Sequence, residues 1–523
     1  MWMLQTKLLL ANAAKVSGKT DGGLSLGVLN AFTFRENAEF RTTNEDGSIS
    51  VEPPTNYFVG RMKQDLNNGR TIIGAYGSAV NRIFGEGYLE NSLHNAAYIA
   101  GVDFEHSWND REWVLSGVVS GTSVNGTSEA ILQTQLSSAR YYNRVDADYL
   151  SIDSDKTSLN GYAGEFSFAK YGGEHWRGSL TYSTVSPGYE ANDIGFENRA
   201  DYHSAHYSIM YRESSPKPEF LRYYNLWHFG GQSWNYGRDL INGWYNIGSD
   251  IEFKNLWSLN YNINVWGNEY DDRVTRGGPV VRTPKGWNFN TNINSNQSKK
   301  VSFNIGNFFR NDASGSFNRN FWSGITIRPT TNIQLEISPE VSFSKSTAQY
   351  VTTVNNPLAT DTYENRYVFA DIDRKSLSTS FRLDWTFTPD LTLQTYMRPF
   401  ISSGNYYNYK EFTEPYTYDF AVYGIDRGTI QQDGDIYTVD PDGNGPAGTF
   451  TFDEQDFNFK SIQTNAVFRW EYKPGSTFYL VWQQDRSAST LHNNFKFRRD
   501  VNRLFDSRPT NVFLMKFSYW FGT

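Results

Sequence analysis

WSLNYNINV, residues Trp257 to Val265, decides how this chain is read. Trp257, Leu259, Tyr261, Ile263 and Val265 fall at every second position, with Ser258, Asn260, Asn262 and Asn264 between them. Successive side chains of a strand point to opposite faces, so the stretch is a strand with one apolar, aromatic face and one amide-rich face. The pattern returns at Trp287 to Asn294, where Trp287, Phe289, Thr291 and Ile293 alternate with Asn. Over Ile333 to Ser344 the apolar series is Ile333, Leu335, Ile337, Val341 and Phe343, opposed to Gln334, Glu336, Ser338, Glu340, Ser342 and Ser344. Leu377, Phe381, Leu383, Trp385 and Phe387 then alternate with Ser378, Ser380, Arg382, Asp384 and Thr386.

A soluble sandwich or propeller alternates too. Two features favour a membrane barrel: strands of about 9 to 12 residues, and connections that differ between the two ends. Short turns are expected at Lys19–Gly23, Asn67–Arg70, Asn109–Arg111, Tyr171–His175, Phe253–Leu256, Gln297–Lys300, Pro329–Asn332, Thr388–Asp390 and Lys473–Thr477. Longer segments separate them at Glu36–Thr55, Asn125–Thr157, Ser183–Asp201, Gly267–Gly286, Lys345–Lys375, Ser402–Asp456 and Asp485–Arg508. The fold class is therefore all-β, a large transmembrane antiparallel β-barrel of about 20 to 22 strands with short periplasmic turns and long extracellular loops. Residues 1–523 are read as that one domain. Phe513, Met515, Phe517, Tyr519 and Phe521 make one face of a last strand near the end at Thr523. Such an aromatic terminal strand resembles the signal that the barrel-assembly machinery reads.

Composition agrees. The 523 residues include 15 Trp, 34 Tyr and 37 Phe, an excess that interfacial aromatic girdles explain. There is no Cys, which excludes disulfides, thiol nucleophiles and Cys-ligated metals. Lys and Arg number 48 against 56 Asp and Glu, and without a basic run this balance argues against a nucleic-acid partner. The longest nearly apolar stretch, Leu8 to Ala14, falls far short of the roughly 18 residues of a spanning helix.

Roughly 21 strands can be marked, an odd number where single-chain bacterial barrels are normally even. The first, about Lys7 to Ser17, starts on the extracellular side if the C-terminus is periplasmic. An absent N-terminal portion is the expected common cause, and a missed or invented strand is the alternative.

Several segments carry a family resemblance: AAKVSGKTDGGLSLGVLNAFT (Ala13 to Thr33), SSARYYNRVDADYLSIDSDKTSLNGYAGEFSFAK (Ser137 to Lys170), STVSPGYEANDIGF (Ser183 to Phe196), DDRVTRGGP (Asp271 to Pro279), YVTTVNNPLATDTY (Tyr350 to Tyr363), RYVFADID (Arg366 to Asp373), YTVDPDGNGPAG (Tyr437 to Gly448) and RWEYKPGSTFYLVWQQDR (Arg469 to Arg486). As a set they resemble large outer-membrane barrels of unassigned function that normally follow a carbohydrate-binding family 9-like domain. The resemblance implies a leader, that domain and further early strands ahead of the GKT segment.

Asp440, Asp442 and Asn444, followed by Gly445, match the opening of a calcium loop. They are the candidate metal site, for Ca2+ if for any ion, although Thr451 stands where a bidentate Glu is needed; the alternative is a polar turn. Loop carboxylates gather at Glu190 and Asp193, at Asp271 and Asp272, and at Asp146, Asp148, Asp153 and Asp155. Arg276 and Arg282 bracket Arg276-Gly-Gly-Pro279, which either turns a loop toward the lumen or is a plain turn. On the polar strand faces lie Arg382, Asp384, Arg398, Arg469, Glu471, Glu336, Glu340 and Lys516, either a mutually paired lumen wall or determinants of solute selectivity. The seven His form no metal or triad set, and no catalytic residue or other cofactor is assigned.

The first functional expectation is a pore or transporter-like protein for polar solutes or glycans in the cell outer membrane of a Gram-negative bacterium. Its expected partners are outer-membrane lipid and the assembly machinery. A surface carbohydrate-active hydrolase using loop carboxylates and a secretion or surface-assembly scaffold are the alternatives.

Overall fold

The computed structural model describes residues 10–41, 46–85, 87–491 and 493–521. The expected start of the first strand before Leu10, and Gly522 and Thr523, lie outside them. Over the described residues the architecture is all-β, dominated by an antiparallel sheet of 22 strands. Among the described residues no helix is long and apolar enough to cross a membrane.

The chain divides into two compact units. The first is Met1–Tyr211 with His228–Tyr245 and Glu269–Val281; the second is Arg212–Trp227, Asn246–Asn268 and Arg282–Thr523. In the first, strands follow one another as an antiparallel meander from Leu10–Lys19 through Leu24–Thr33, Thr55–Leu66, Thr71–Arg82, Ala96–Trp108, Trp113–Asn125, Ser158–Lys170 and Trp176–Val185 to Tyr202–Glu213. In the second, a meander runs from Ser258–Trp266 through Gly286–Asn294, Val301–Asp312, Phe317–Thr330, Ile333–Asn355, Asn365–Thr388, Leu391–Phe412, Phe457–Lys473 and Ser476–Thr490 to Thr510–Ser518. All nine short turns expected from the sequence lie between successive strands. Asn67, Asn68 and Gly69 show why they are tight: all three have φ between 54° and 77°, a region that Gly and Asn enter most readily.

Register turns the alternation into two physical faces. Val102 pairs with Val119, Leu115 with Phe168, Phe168 with Leu180, and Phe166 with Tyr182. These side chains are among the exposed large apolar groups, Val102 and Leu180 each 60% open. Asp103, Val118, Glu165 and Ser183 line up on the opposite face, as do Glu105, Ser116, Ser167 and Thr181. The second unit repeats this: Val265 opposes Trp287, Leu335 opposes Leu383 and Phe478 opposes Phe517. Glu336–Arg382, Gln334–Asp384 and Tyr479–Lys516 lie on the other side. Rows of exposed apolar side chains suit hydrocarbon, not water.

Two expected loops are shorter than read. Lys345–Lys375 is mostly strand, because Ile333–Asn355 and Asn365–Thr388 run 23 and 24 residues and only 356–364 connects them. Register shifts between Ser346 and Gln349 and between Tyr350 and Thr352 break the two-residue phase, which hid the extension. Likewise Leu391–Phe412 continues past Ser402. A small sheet of Thr429–Asp433, Ile436–Asp440 and Phe450–Asp453 covers these extensions, burying Val368, Ala370, Tyr409, Tyr423, Val439 and Phe452 together. At the other extreme, 235–239 and 313–316 are tight turns at the long-loop end.

Candidate functional site

In the first unit two long loops fold back onto the polar face. Thr127 caps the helix Ser128–Leu136, its Oγ1 accepting from the Ala130 N–H at 3.3 Å. The helix delivers Ile131 onto Val80, Ala97, Val124 and Leu159, all buried. Those four are register partners in sequence, on the same side as Asp103 and Glu165, so the polar face becomes apolar where the helix sits. Gln135 then fixes the following loop, its amide donating to the Asp153 carbonyl and accepting from the Asp153 N–H, both at 2.9 Å. In the second loop the Glu190 N–H donates to Thr122 Oγ1 at 3.1 Å, and the Tyr189 and Ser120 hydroxyls meet at 3.2 Å. Gly161 permits this approach, since a Cβ there would stand 2.1 Å from the Tyr189 nitrogen.

A buried arginine ties these loops to a third. Arg144 donates to Asp272 Oδ2 and Asp146 Oδ1, each at 3.3 Å, and lies 3.9 Å from Asp201 and 3.8 Å from Asp239. Asp272 also accepts from Arg199 at 2.8 Å and Asn235 at 3.3 Å. Asp146 turns its second oxygen to the Val280 N–H at 2.6 Å, while Arg273 donates to the carbonyls of Ser138, Ala139 and Ala200. Burial opposes ionisation of Asp272, but Arg199 and Arg144 outweigh it and hold the carboxyl below its ordinary range. Asp201 lacks that density of cations, so burial pushes it up to about 6, although Tyr149 donates to it at 2.7 Å. Burial and the neighbouring Arg199 lower Arg273 to about 10.

Beside this hub Arg140 pairs with Glu190 at 2.7 Å and approaches Glu197 at 3.7 Å. Arg82 and His94 share Asp193, at 2.6 and 2.8 Å. Glu190, Asp193 and Glu197 line a cavity of about 550 Å³.

The expected loop carboxylates thus divide by role. Asp272, Glu190 and Asp193 are each paired with arginine, and Asp271 closes a turn, its Oδ1 accepting from the N–H groups of Arg273 and Val274 at 2.8 and 2.9 Å. Arg276 and Arg282 are exposed. The turn after Arg276 is demanding, because Gly277 has φ +98° and a Cβ there would stand 2.0 Å from the Asn143 amide nitrogen. The hub's own cations, Arg144, Arg199 and Arg273, and Arg140 beside them were missed in the sequence; the signal was their interleaving with the acids, as in RYYNRVDAD.

The second unit holds a separate charged centre. Glu411 accepts from Arg366 at 2.8 and 2.7 Å, from Tyr423 at 2.7 Å and from Arg427. Asp442 and Asp361 join these arginines around a cavity of about 560 Å³. The calcium-loop carboxylates serve as turn acceptors: Asp440 takes the Gly443 N–H and Asp442 the Ala447 N–H, both at 2.9 Å. Asn444 is exposed. Among the described residues no group of three or more His, Asp or Glu is arranged to hold a metal ion. On the polar strand face Arg469 and Glu471 pair at 2.6 Å, Arg382 opposes Glu336, and Asp384 opposes Gln334 and Gln394.

The family described as Domain of unknown function (DUF5916) matches residues 3–522. The chain belongs to that family. Among curated proteins this DUF5916 chain has no match. Among solved structures it is similar to the FrpB iron transporter from Neisseria meningitidis, at 10% identity and TM-score 0.38, over 90% of this chain and 74% of that one. It is also similar to a BenF-like porin from Pseudomonas fluorescens, at 10% identity and TM-score 0.31, over 95% and 99% of the two chains. For the siderophore receptor PirA from Acinetobacter baumannii the values are 8%, 0.36, 95% and 74%. Likeness at this level identifies no ligand for the DUF5916 chain.

Proposed function

We propose that the chain is an outer-membrane pore or transporter-like protein of a Gram-negative bacterium that passes polar solutes, with its long loops forming the constriction. Outer-membrane lipid would meet the apolar rows, and the aromatic last strand Thr510–Ser518 would be read by the assembly machinery. The observation that carries the reading is the folding of two loops onto the polar strand face, one through Ile131 on Val80, Ala97, Val124 and Leu159 and the other through Thr122–Glu190 and Ser120–Tyr189. A polar face covered by arginine-tied loops is the arrangement expected of a narrowed aqueous path. Glycans remain within the proposed solute class because the wall residues are amides, hydroxyls and paired charges, which bond hydroxyls well.

Hydrolysis is less well supported. A glycosidase needs two carboxyl groups facing one bond, and Glu190 is held by Arg140 at 2.7 Å and the Asn192 N–H at 2.6 Å. The test is single-channel recording in planar bilayers. The wild-type chain is expected to give small, selective conductance steps, and Arg144→Met larger ones. Absence of conductance from both proteins, correctly inserted, would remove the pore reading.

A further inference from the structure

The cavity of the first unit contains one acid that the loop network holds less firmly than the others. Of the charged groups lining it, Arg82 donates to Asp193 at 2.6 Å and to the His94 carbonyl at 2.8 Å. His94 is engaged at both nitrogens, by Asp193 at 2.8 Å and Thr134 at 2.7 Å. Glu190 is taken by Arg140 and Asn192. Glu197 differs: its side chain is only 10% exposed, and neither carboxyl oxygen has a well-formed hydrogen bond, the Ala191 N–H and Arg140 acting only from longer range. Its nearest cation, Arg140 at 3.7 Å, already serves Glu190 and the Tyr189 carbonyl. A buried acceptor left unsatisfied is destabilising, so a ligand donor placed here offsets that cost. The adjacent Phe196, also on the cavity wall, is 87% exposed.

We propose that this cavity binds an organic cation, a guanidinium or primary ammonium on an aliphatic body, with Glu197 as counter-ion and Phe196 covering the bound group. Acids outnumber cations among the lining residues, with Glu190, Asp193 and Glu197 against Arg82, which disfavours an anion. A neutral polyol would leave a buried Glu197 carboxylate without a counter-charge, which a cation supplies. Cations are attracted to aromatic faces, which gives the exposed ring a use. Burial raises the Glu197 carboxyl to about 7, Glu190 adding to the rise while Arg140, the Ala191 N–H and Arg273 oppose it. A bound cation favours the ionised acid, so binding should release a proton near neutrality and tighten as pH rises from 6 to 8.

The inference concerns binding alone and stands apart from conduction. Calorimetry on the full chain in detergent, with argininamide, its neutral isostere citrullinamide, and maltose, tests it. Argininamide is expected to bind about tenfold tighter than citrullinamide, with proton release visible as buffer-dependent heat at pH 7. Glu197→Gln, which forfeits no well-formed hydrogen bond, should lose that margin and the proton release, and Phe196→Ala should weaken binding several-fold without disturbing the fold. Equal affinity for the two amides, binding of maltose alone, no heat with argininamide, or undiminished binding by Glu197→Gln would each overturn the proposal. Conductance that persists through such a result would leave the pore reading standing.

Discussion

The two charged centres invert each other. In the first unit a cation, Arg144, sits among the carboxylates Asp146, Asp201, Asp239 and Asp272; in the second a carboxylate, Glu411, sits among Arg366, Arg427 and Tyr423. Their sequence reach differs more than their chemistry. Arg144 to Asp272 spans 128 residues and joins separate loops, whereas Glu411 reaches 45, 16 and 12 residues to a strand extension and the loop beside it. The first centre therefore holds loops to one another, and the second staples a loop to strands that the sheet already orders.

The sharpest break in that comparison is Arg144→Met. It strands several buried carboxylates, and removing one partner of such a set costs about 3–5 kcal/mol. The cost should appear as protease cleavage within 126–157 and 268–281 while the sheet survives, since none of its ladders uses Arg144. Glu411→Gln should cost less, about 2–3 kcal/mol, because Arg427 is 45% exposed and can turn to water. Its effect should stay within 413–456. Equal loop release by both variants would erase the distinction between the centres.

pH separates them next. Asp201, raised to about 6 by burial, binds its proton more tightly in the folded loops than in the unfolded chain. The stabilisation is fully present below about pH 4 and is lost as pH rises from there through about 6. Asp272 is lowered and opposes this only at more acid pH. Loop protection against proteolysis, followed from pH 4.5 to 7, should therefore decline in the first unit, with Glu197 and Asp239, also raised by burial, adding to the fall, and Asp201→Asn should make the decline shallower. A smaller effect is expected from Gly277→Ala, about 1 kcal/mol for placing a side chain at φ +98° beside Asn143, read as a lower melting temperature of the loops. Smallest of all is Glu471→Gln on the polar strand face, whose partner Arg469 is 32% exposed. It should leave stability near that of the wild-type chain and be read in ion selectivity.

Most of the sheet was legible because a strand declares itself locally. Trp257 to Val265 needs no distant residue to reveal two faces, and Asn67-Asn68-Gly69 announces a turn by conformation alone. The strand extensions around Lys345–Lys375 were lost where register shifts change the phase of alternation, and their apolar cover comes from a hairpin sheet some 60 residues on. The site was legible only in halves. Glu190, Asp193, Asp271 and Asp272 stand out as loop acids, but nothing local says that Arg144 will meet Asp272 or that Glu197 will be buried without a well-formed hydrogen bond. Such placements, Glu197 beside Arg140 included, come from how loops settle on the sheet, which period-two reading does not encode.

The central claim is that the apolar rows face lipid and the polar rows face water beneath the loops. In this Cys-free chain, single cysteines at Val102 and Leu180 on one face and at Glu105 and Glu165 on the other can be challenged in outer-membrane vesicles with a membrane-impermeant maleimide. The account predicts labelling at positions 105 and 165 and protection at 102 and 180. Labelling of 102 and 180 with protection of 105 and 165 would contradict it.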